Sequence, residues 1–503
     1  MNNNMMGSSV RMMFNSRQIH RLTTGLFFGI GTAFLPFVAL QADTTAVLVG
    51  GGYDIHGSQG QIELNVKWVQ GVLKAQNTHV NTFFTDGDEK GVDVHFNLPS
   101  YQQNSTMEPL ARIFGDWVLE NRRYRENTVP DVSGSTRREE LEPALRQIID
   151  NSADEDLLLV YNGHGSQSLS TPDHVTLNLW DNTTITANEL HGLIKPRKSP
   201  FRFVFTQCYS GGFHRLAYKD PSQGLELADN ARCGFTAESA YRLAEGCSAS
   251  IETDDYRDYT TYFFSALSGY ERNGDVISHD PDLNKDGTTS LREAHLFTLE
   301  EAFSTDLSRS TSEDYLTRWQ PWYLRWLPGQ NNLPNNEYSR IFRELAVRNN
   351  VELTESVVTD IREKMAHVDE QVADVLQQRR TLREQTLQLQ LQLQSALINQ
   401  WPALLGPYTG AYQDMAGRGE LQEITRQLND SAVYRQLKDT QNTDHALDDS
   451  LLQLEREATQ YQKLLRMRHL SELKQRIVEY GSEQDNNDYQ SLLSCEESPL
   501  VAQ

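Results

Sequence analysis

Two short apolar segments, each ending in a reactive residue, constrain the fold of this chain more than any other feature. Residues 157–165 read LLLVYNGHG, and residues 201–212 read FRFVFTQCYSGG. Apolar runs of this kind that stop at glycines are typical of parallel strands buried on both faces. Because the chemistry of such sheets lies at the carboxyl ends of the strands, we expect His164 and Cys208 at one edge of one sheet.

A cysteine and a histidine at such an edge supply what nucleophilic catalysis requires. Cys208 is the predicted nucleophile, and His164 is predicted to take its proton and later to protonate the leaving amine. Gly165 has no side chain to keep the carbonyl of a substrate away from its backbone N–H. This N–H and that of Cys208 are the predicted oxyanion hole. The alternative is that both residues are structural, but each motif directly follows an apolar strand, which favours catalysis.

The two motifs resemble those of the caspase-like cysteine peptidases, the group that holds caspases, legumains, gingipains and metacaspases. In that group a His-Gly comes first and a Cys ends a later strand, as in residues 161–165 and 206–212 here. Residues 238–241, ESAY, are similar to the Glu-Ser-Ser-Tyr segment of legumains, which implies that Glu238 and Ser239 border the substrate pocket. The residues after the cysteine differ from the caspase motif. The resemblance therefore favours a legumain-like, exported bacterial thiol protease that acts on proteins or peptides.

Strands alternate with helical patterns over residues 43–330, which predicts an α/β fold with helices around a mainly parallel sheet. The resemblance to caspase-like peptidases, which covers about residues 44–300, implies a three-layer sandwich. From residue 331 glycine becomes rare and apolar residues recur at alternating spacings of three and four, which predicts a helical hairpin or coiled-coil domain over 331–503. Self-association, autoinhibition by docking on the peptidase domain, and binding of a partner are all compatible with this domain's sequence.

Residues 1–42 have the pattern of a signal peptide. Three arginines give a basic start, residues 25–40 form an apolar run, and Ala42 is a small residue at the expected cleavage site. An uncleaved anchor is the alternative, although the run is short for a membrane span. We therefore expect export to a periplasm or out of the cell, with no membrane span after signal cleavage.

Residues 282–293, DLNKDGTTSLRE, match the twelve-residue EF-hand loop. Oxygen ligands for a calcium ion are expected from Asp282, Asn284, Asp286, Thr288, Ser290 and Glu293. Gly287 permits the sharp turn that such a loop makes at its sixth position. A single loop predicts a structural ion at extracellular calcium concentrations, and the alternative is an acidic loop that caps the following helix. No phosphate-binding motif follows the glycines at 50–52, and no organic cofactor is expected.

The chain has four cysteines. Cys233 and Cys247 flank the 238–241 segment, and in an oxidising compartment a disulfide between them is expected to fix that wall of the pocket. Spacing alone does not prove pairing, so two unrelated buried thiols are the alternative. With that disulfide formed, Cys208 is expected to be free, and Cys495 has no evident partner.

The formal net charge is −23, with 46 Lys and Arg against 69 Asp and Glu. So acidic a chain argues against nucleic acid or an anionic membrane as partner. The predicted function is a cysteine endopeptidase that acts through a thioester on Cys208. One alternative is a transpeptidase, because an amine can capture the same thioester. The other is a catalytically silent scaffold or surface protein that acts through its coiled coil.

Overall fold

The computed structural model describes residues 44–99, 105–115, 121–168, 174–222, 224–326, 333–406 and 409–500. The predicted signal peptide, residues 1–42, lies outside these ranges. The strands are β1 (Thr44–Gly51), β2 (His79–Phe84), β3 (Val94–Asn97), β4 (Arg122–Arg125), β5 (Val132–Gly134), β6 (Asp156–Gly163), β7 (Gly165–Gln167), β8 (Val175–Leu179), β9 (Thr183–Thr186), β10 (Phe201–Phe205), β11 (Arg232–Thr236) and β12 (Arg309–Ser310). The α-helices are α1 (Gly60–Ala75), α2 (Glu108–Phe114), α3 (Arg138–Asn151), α4 (Ala187–Ile194), α5 (Tyr259–Ser268), α6 (Leu291–Glu301), α7 (Thr311–Trp319), α8 (Glu337–Arg348), α9 (Val357–Gln400), α10 (Gly410–Gly417), α11 (Glu420–Asp430), α12 (Ala432–Tyr480) and α13 (Glu483–Glu497). Of the helices within these ranges, none combines the length and apolar character needed to cross a membrane.

Seven of the strands form one sheet in the order β12-β11-β10-β6-β1-β2-β5. Neighbouring strands are parallel except for β11 and β12, which pair antiparallel. β6 lies between β1 and β10, so the two apolar segments identified in the sequence are direct neighbours. The predicted mainly parallel sheet is confirmed, and β6 and β10 end at the same edge of it.

Helices cover both faces of this sheet, because alternate residues of its central strands are apolar on each face. In β1, Ala46 and Leu48 belong to a core with residues of α1, α5 and α6, whereas Val47 and Val49 belong to a second core with residues of α3 and α4. Every residue of β1 and β10 is buried. This burial on both faces explains the continuous apolar runs and confirms the predicted three-layer α/β sandwich.

The C-terminal region is helical, as its spacing of apolar residues predicts. α9 and α12 lie antiparallel, because Ile361 shares one core with Leu464 while Leu393 shares another with Leu437. The first of these cores also contains residues of α6 and α7, so the long helices pack directly on the α/β layers. The predicted α-helical C-terminal region is therefore confirmed, and it is joined to the sheet domain through an apolar core.

Cys233 forms a disulfide with Cys495, with Cα atoms 6.0 Å apart, so the predicted Cys233–Cys247 disulfide is wrong. Cys233 is the second residue of β11 and lies near the amino end of that strand. Cys247 lies beyond the carboxyl end of β11, next to His164. Cys233 and Cys247 therefore lie toward opposite edges of the sheet. The partner of Cys233 is instead Cys495 of α13.

Candidate active site

Strand register brings His164 and Cys208 to one part of the sheet edge. In the adjacent strands β6 and β10, Tyr161 is paired with Phe205, and each reactive residue follows its paired residue by three positions. Thr206 extends the pairing, because its N–H donates to the carbonyl oxygen of Tyr161 at 3.1 Å. Both reactive residues are half-buried. The structure thus brings them to the carboxyl edge together, while their catalytic roles stay predictions.

The imidazole of His164 is held by the loop that follows β1. Its Nε2 lies 2.9 Å from the carbonyl oxygen of Gly57 and 2.9 Å from Oε1 of Gln59. Both of these oxygens are acceptors, so Nε2 carries the hydrogen and Nδ1 has a free lone pair. Asp54 shapes the loop, since its carboxylate accepts the N–H groups of His56 and Gly57, each at 2.8 Å. The ring is therefore set in the tautomer in which Nδ1 can accept a proton.

Both reactive residues lie on tight backbone turns. The hydroxyl of Tyr161 donates to the carbonyl oxygen of His164 at 2.8 Å and fixes the first turn. A Cβ at Gly165 would lie 2.4 Å from the carbonyl oxygen of Cys208, so only glycine fits between the two motifs. Tyr209, directly after Cys208, has a φ of 60°, a conformation that costs a non-glycine residue about 1–3 kcal/mol. Gly165 therefore lies beside Cys208, where the oxyanion role predicted for it stays a prediction.

Burial determines the charge state of the two reactive groups. Burial lowers the pKa of His164, although its hydrogen bond to Gly57 opposes this shift. Burial also raises the pKa of the Cys208 thiol. Both shifts favour the neutral thiol and the neutral imidazole over the thiolate–imidazolium pair.

Residues 240–248, which we call the cover segment, lie over both reactive side chains. The N–H of Ala244 donates to Sγ of Cys208 at 3.4 Å. The Sγ of Cys247 lies 3.6 Å from Nδ1 of His164. In the described part of the chain, no hydrogen bond joins Cys208 to His164. Each reactive atom therefore contacts the cover segment in this structure.

Helix α12 contacts the outer side of the cover segment. Glu245 forms an ion pair with Arg456 of α12 and accepts the N–H of Thr305 at 3.0 Å. Burial alone would raise the pKa of Glu245, but its hydrogen bond and ion pair with Arg456 hold that pKa below its usual range. Arg242 adds a second link by donating to Oε1 of Gln462 at 2.6 Å. α12 is thereby connected to the two reactive residues through the cover segment.

Glu238 and Ser239, the residues predicted to border the substrate pocket, immediately precede the cover segment. Glu238 is fully buried, and its carboxylate accepts the N–H groups of Ser239 and Leu307, each at 2.8 Å. Burial raises the pKa of Glu238, while the charge of Arg242 opposes the shift. The buried Glu238 carboxylate thus links the residue before the cover segment to Leu307. Contact of Glu238 or Ser239 with substrate stays a prediction.

Alkylation of Cys208 is expected to be slow at pH 7 and to accelerate as the pH rises. The raised pKa of its thiol leaves little thiolate at neutral pH, and the thiolate is the species that reacts. The rate of iodoacetamide addition, followed by intact mass in a Cys247→Ser variant, measures this dependence on one free thiol. A fast rate that is constant between pH 6 and 8 would instead indicate a preformed thiolate–imidazolium pair.

The loop predicted to bind calcium, residues 282–293, closes on itself through its own side chains. Asp282 accepts the N–H of Gly287 at 2.9 Å, and Gly287 has a φ of 89°. Glu293 reaches back across the loop and accepts the N–H of Leu283 at 2.8 Å. The predicted oxygen donors are Asp282, Asn284, Asp286, Thr288, Ser290 and Glu293. Such an all-oxygen set fits a hard cation such as Ca²⁺.

The same loop also caps the helix that follows it. Ser290 accepts the N–H of Glu293, and the Glu293 carboxylate accepts the N–H of Ser290, which is the reciprocal capping box of α6. The capping alternative considered for this sequence is therefore present in the structure. Each oxygen of the Glu293 carboxylate already accepts two hydrogen bonds here, so cation binding by Glu293 would displace some of them.

A trio of potential metal ligands also lies near α6. His279, Glu300 and Glu301 place ligand atoms within 4.8 Å of one another. Glu300 already pairs with Arg340 at 2.7 Å, and Glu301 pairs with Arg348. With both carboxylates neutralised by arginine, the trio is explained as an ion-pair network that joins α6 to α8.

Sequence reasoning did not identify the groups that surround the imidazole. Gln59 and the Gly57 carbonyl orient His164, and Cys247 faces its Nδ1. The position of their loop could have indicated Gly57 and Gln59. The loop follows β1, and β1 ends at the same sheet edge as its parallel neighbour β6. No comparable signal marked Cys247, because only the path of the cover segment brings it to the site.

Comparison with known proteins finds no matching family model and no matching curated protein. Assignment of a function therefore depends on the residues and distances described above. Their central feature is a free thiol and an oriented, neutral imidazole at the carboxyl edge of a parallel sheet.

Proposed function

We propose that this protein is an exported cysteine endopeptidase of the caspase-like fold, on its legumain-like branch. The observation that carries the proposal is the shared register of β6 and β10, which delivers His164 and Cys208 three residues beyond a paired position. The orientation of His164 through Nε2 supports it further, because Nδ1 is left free to accept a proton. The resemblance of both motifs to that family agrees with this geometry.

In the proposed reaction, Sγ of Cys208 attacks the carbonyl carbon of the scissile peptide bond while Nδ1 of His164 takes the thiol proton. The N–H groups of Gly165 and Cys208 stabilise the negative oxygen. The C–N bond then breaks, His164 returns the proton to the leaving amine, and an acyl thioester remains on Cys208. Water, deprotonated by His164, hydrolyses the thioester and restores the thiol.

Substrate reaches this site only when the cover segment moves away from it. Ala244 now donates to the nucleophilic sulfur and Cys247 occupies the space at Nδ1 of His164. We therefore propose that the described conformation is a resting state. The contact of α12 with the cover segment supports the autoinhibitory role considered for the C-terminal helices.

The Arg456→Ala variant is expected to alkylate at Cys208 faster than the otherwise identical protein at pH 7. Loss of the charged hydrogen bonds to Glu245 removes roughly 1.5–3 kcal/mol of interaction that holds the cover segment closed. Opening is then favoured by about 10- to 100-fold, and iodoacetamide addition, followed by intact mass in the Cys247→Ser background, reports it.

Arg435→Ala is the matched control for this variant. Arg435 lies on the same helix and is exposed, so its removal is expected to leave the rate unchanged. Equal rates for Arg456→Ala and Arg435→Ala would contradict a role for α12 in closing the site.

The Cys233–Cys495 disulfide supports the proposed export of the protein. Disulfides of this kind persist in a periplasm or outside the cell and are rare in the reducing cytosol. The signal-peptide pattern of residues 1–42 agrees with that placement.

We also propose that the 282–293 loop binds a structural calcium ion. Calcium at ten times its dissociation constant would stabilise the fold by about 1.4 kcal/mol, so addition of EDTA is expected to lower Tm by roughly 1–3 °C. Calorimetry with calcium and with EDTA measures this shift.

Asp286→Ala is expected to remove the calcium shift, because it deletes the oxygens of an exposed ligand that takes no part in the capping box. Asp280→Ala changes an acid that lies outside the loop and pairs with Lys285, so it is the control and keeps the shift. An identical Tm for the parent protein with calcium and with EDTA would refute the site.

The endopeptidase proposal is tested by incubating the full chain, in reducing buffer, with a peptide library and identifying products by mass. Hydrolysis gives fragments that sum to the substrate plus one water. Fragments joined to an added amine such as glycinamide would show a transpeptidase instead. If neither the parent chain nor Arg456→Ala cleaves any peptide, the scaffold alternative replaces the enzyme.

A further inference from the structure

The two free cysteines of this chain lie at the candidate active site, Cys247 against His164 and Cys208 against Ala244 of the cover segment. Cys247 Sγ lies 3.6 Å from Nδ1 of the imidazole, and Cys208 Sγ accepts the N–H of Ala244 at 3.4 Å. The other two cysteines are already joined to each other in a disulfide. The only thiols available for oxidation therefore lie at the same site, one on the sheet edge and one on the cover segment.

The path of the cover segment keeps Cys247 close to Cys208. Ala244, which contacts the Cys208 sulfur, precedes Cys247 by three residues, a stretch that spans at most about 11 Å. The following residue is fixed on the other side, because Ser248 exchanges two hydrogen bonds with Gln61: Gln61 N–H donates to the Ser248 carbonyl at 3.1 Å, and Ser248 N–H donates to Gln61 Oε1 at 2.9 Å. Cys247 thereby lies on a short stretch fixed at Cys208 through Ala244 and at Gln61 through Ser248.

Accessibility and proton acceptance differ between the two thiols. Cys247 is the more exposed residue of the two, but burial of its thiol raises the pKa of Cys247, so its reaction with an oxidant requires a base. Nδ1 of His164 has a free lone pair, since Nε2–H donates to Gly57 and Gln59. The imidazole is therefore placed to take the proton of Cys247, as a general base does for an attacking thiol.

We propose that Cys208 and Cys247 form a reversible disulfide that locks the cover segment over the site. The oxidant is a disulfide compound, either a small one such as oxidised glutathione or a thiol–disulfide oxidoreductase. Cys247 thiolate attacks it and forms a mixed disulfide with release of one thiol. Cys208 thiolate then attacks the Cys247 sulfur and displaces the second thiol. In total, two protein S–H bonds are lost, one S–S bond forms, and two electrons reduce the oxidant to two thiols.

The bond requires a rearrangement from the described conformation, in which the two sulfurs are not bonded. Rotation of the Cys247 side chain away from Nδ1 and adjustment of the cover segment bring them together. Gly246, with a φ of 121°, precedes Cys247 directly and occupies a backbone conformation that other residues rarely adopt. The oxidised protein would have no free nucleophile, so thiol reduction would control the activity proposed for this site.

The test uses the full chain as the parent protein, Cys247→Ser and Cys208→Ser, each incubated with oxidised glutathione and then blocked with N-ethylmaleimide. Intact mass of the parent is expected to show no maleimide and no glutathione, and a non-reducing digest is expected to contain a peptide joining Cys208 to Cys247. Each single variant is expected to retain one glutathione adduct. Two maleimides on the parent after oxidation, or two separate glutathione adducts, would overturn the proposal.

The enzymatic consequence rests on the proposed function and is read separately. Oxidation is expected to abolish peptide hydrolysis by the parent chain and reduction to restore it. Cys247→Ser is expected to be active in reducing buffer, and after oxidation to be blocked by glutathione on Cys208 instead of by an internal disulfide. A joined peptide in a chain that never hydrolyses substrate would leave the disulfide established and refute only the peptidase. Hydrolysis of substrate without a joined peptide would support the peptidase and refute only the disulfide. Thermal unfolding of both variants checks that each is folded.

Discussion

Replacing Cys208 with alanine is expected to lower peptide hydrolysis by about 10⁴- to 10⁶-fold, the loss typical of removing a nucleophile. The physical reason is that no acyl thioester can form without the sulfur, and His164 alone only polarises water. Initial rates with the best peptide from the library measure the effect. Cys208→Ala removes one half-buried sulfur atom, so the fold is expected to persist, and circular dichroism checks this.

Cys247→Ala is the control that makes the Cys208 result specific. Cys247 is the sulfur that contacts His164 in the described conformation, so it is the rival for the role of nucleophile. Retained hydrolysis by Cys247→Ala in reducing buffer assigns the role to Cys208. Loss of hydrolysis in Cys247→Ala together with retention in Cys208→Ala would assign the nucleophile to the cover segment and contradict the mechanism.

Breaking the Cys233–Cys495 disulfide is expected to destabilise the fold by roughly 3–5 kcal/mol. The bond closes a loop with a sequence separation of 262, and long loops restrict the unfolded chain most. Cys495→Ser tests this in guanidinium unfolding, where the midpoint is expected to fall. α13 still docks through Glu496, whose carboxylate accepts from Arg292 at 2.8 Å and from the N–H of Ser312 at 2.6 Å, so the variant is expected to fold.

Cys247→Ser is the control for the stability measurement. It removes a thiol without opening the 233–495 loop, so its unfolding midpoint in buffer without reductant or oxidant is expected to match that of the parent chain. A midpoint that falls equally in Cys495→Ser and Cys247→Ser would contradict the assignment of the long-range disulfide.

The strands and the pair of reactive residues were accessible to sequence reasoning because the physics behind them is local. Residues 157–165 and 201–212 each combine a continuous apolar run with glycines. A strand that is buried on both sheet faces requires such an apolar run. The EF-hand-like loop and the capping boxes are also local patterns of spacing. The long helix α9 followed from the recurrence of apolar residues, even through the alternating Leu and Gln of residues 387–394.

Long-range pairings were the part that the sequence did not reveal. Cys495 contacts Cys233 because α13 returns to β11 from the far end of the chain, and nothing in the spacing of cysteines encodes that path. The same segment places the carbonyl oxygens of Ser498 and Pro499 against Arg202, the register partner of Cys233. The position of Cys247 beside His164 depends in the same way on contacts between distant elements, among them Arg456 with Glu245.

The most direct measurement is intact mass after treatment of the reduced full chain with a library of peptidyl acyloxymethyl ketones, which modify a cysteine that acts on a peptide carbonyl. We expect one adduct, located on Cys208 by digestion, formed faster in Arg456→Ala and absent in His164→Ala. The preferred peptide would also test the prediction that Ser239 borders the substrate pocket. Absence of an adduct in both the parent chain and Arg456→Ala, or an adduct on Cys208 that is unchanged by loss of His164, would contradict the proposal that these two residues form a catalytic pair.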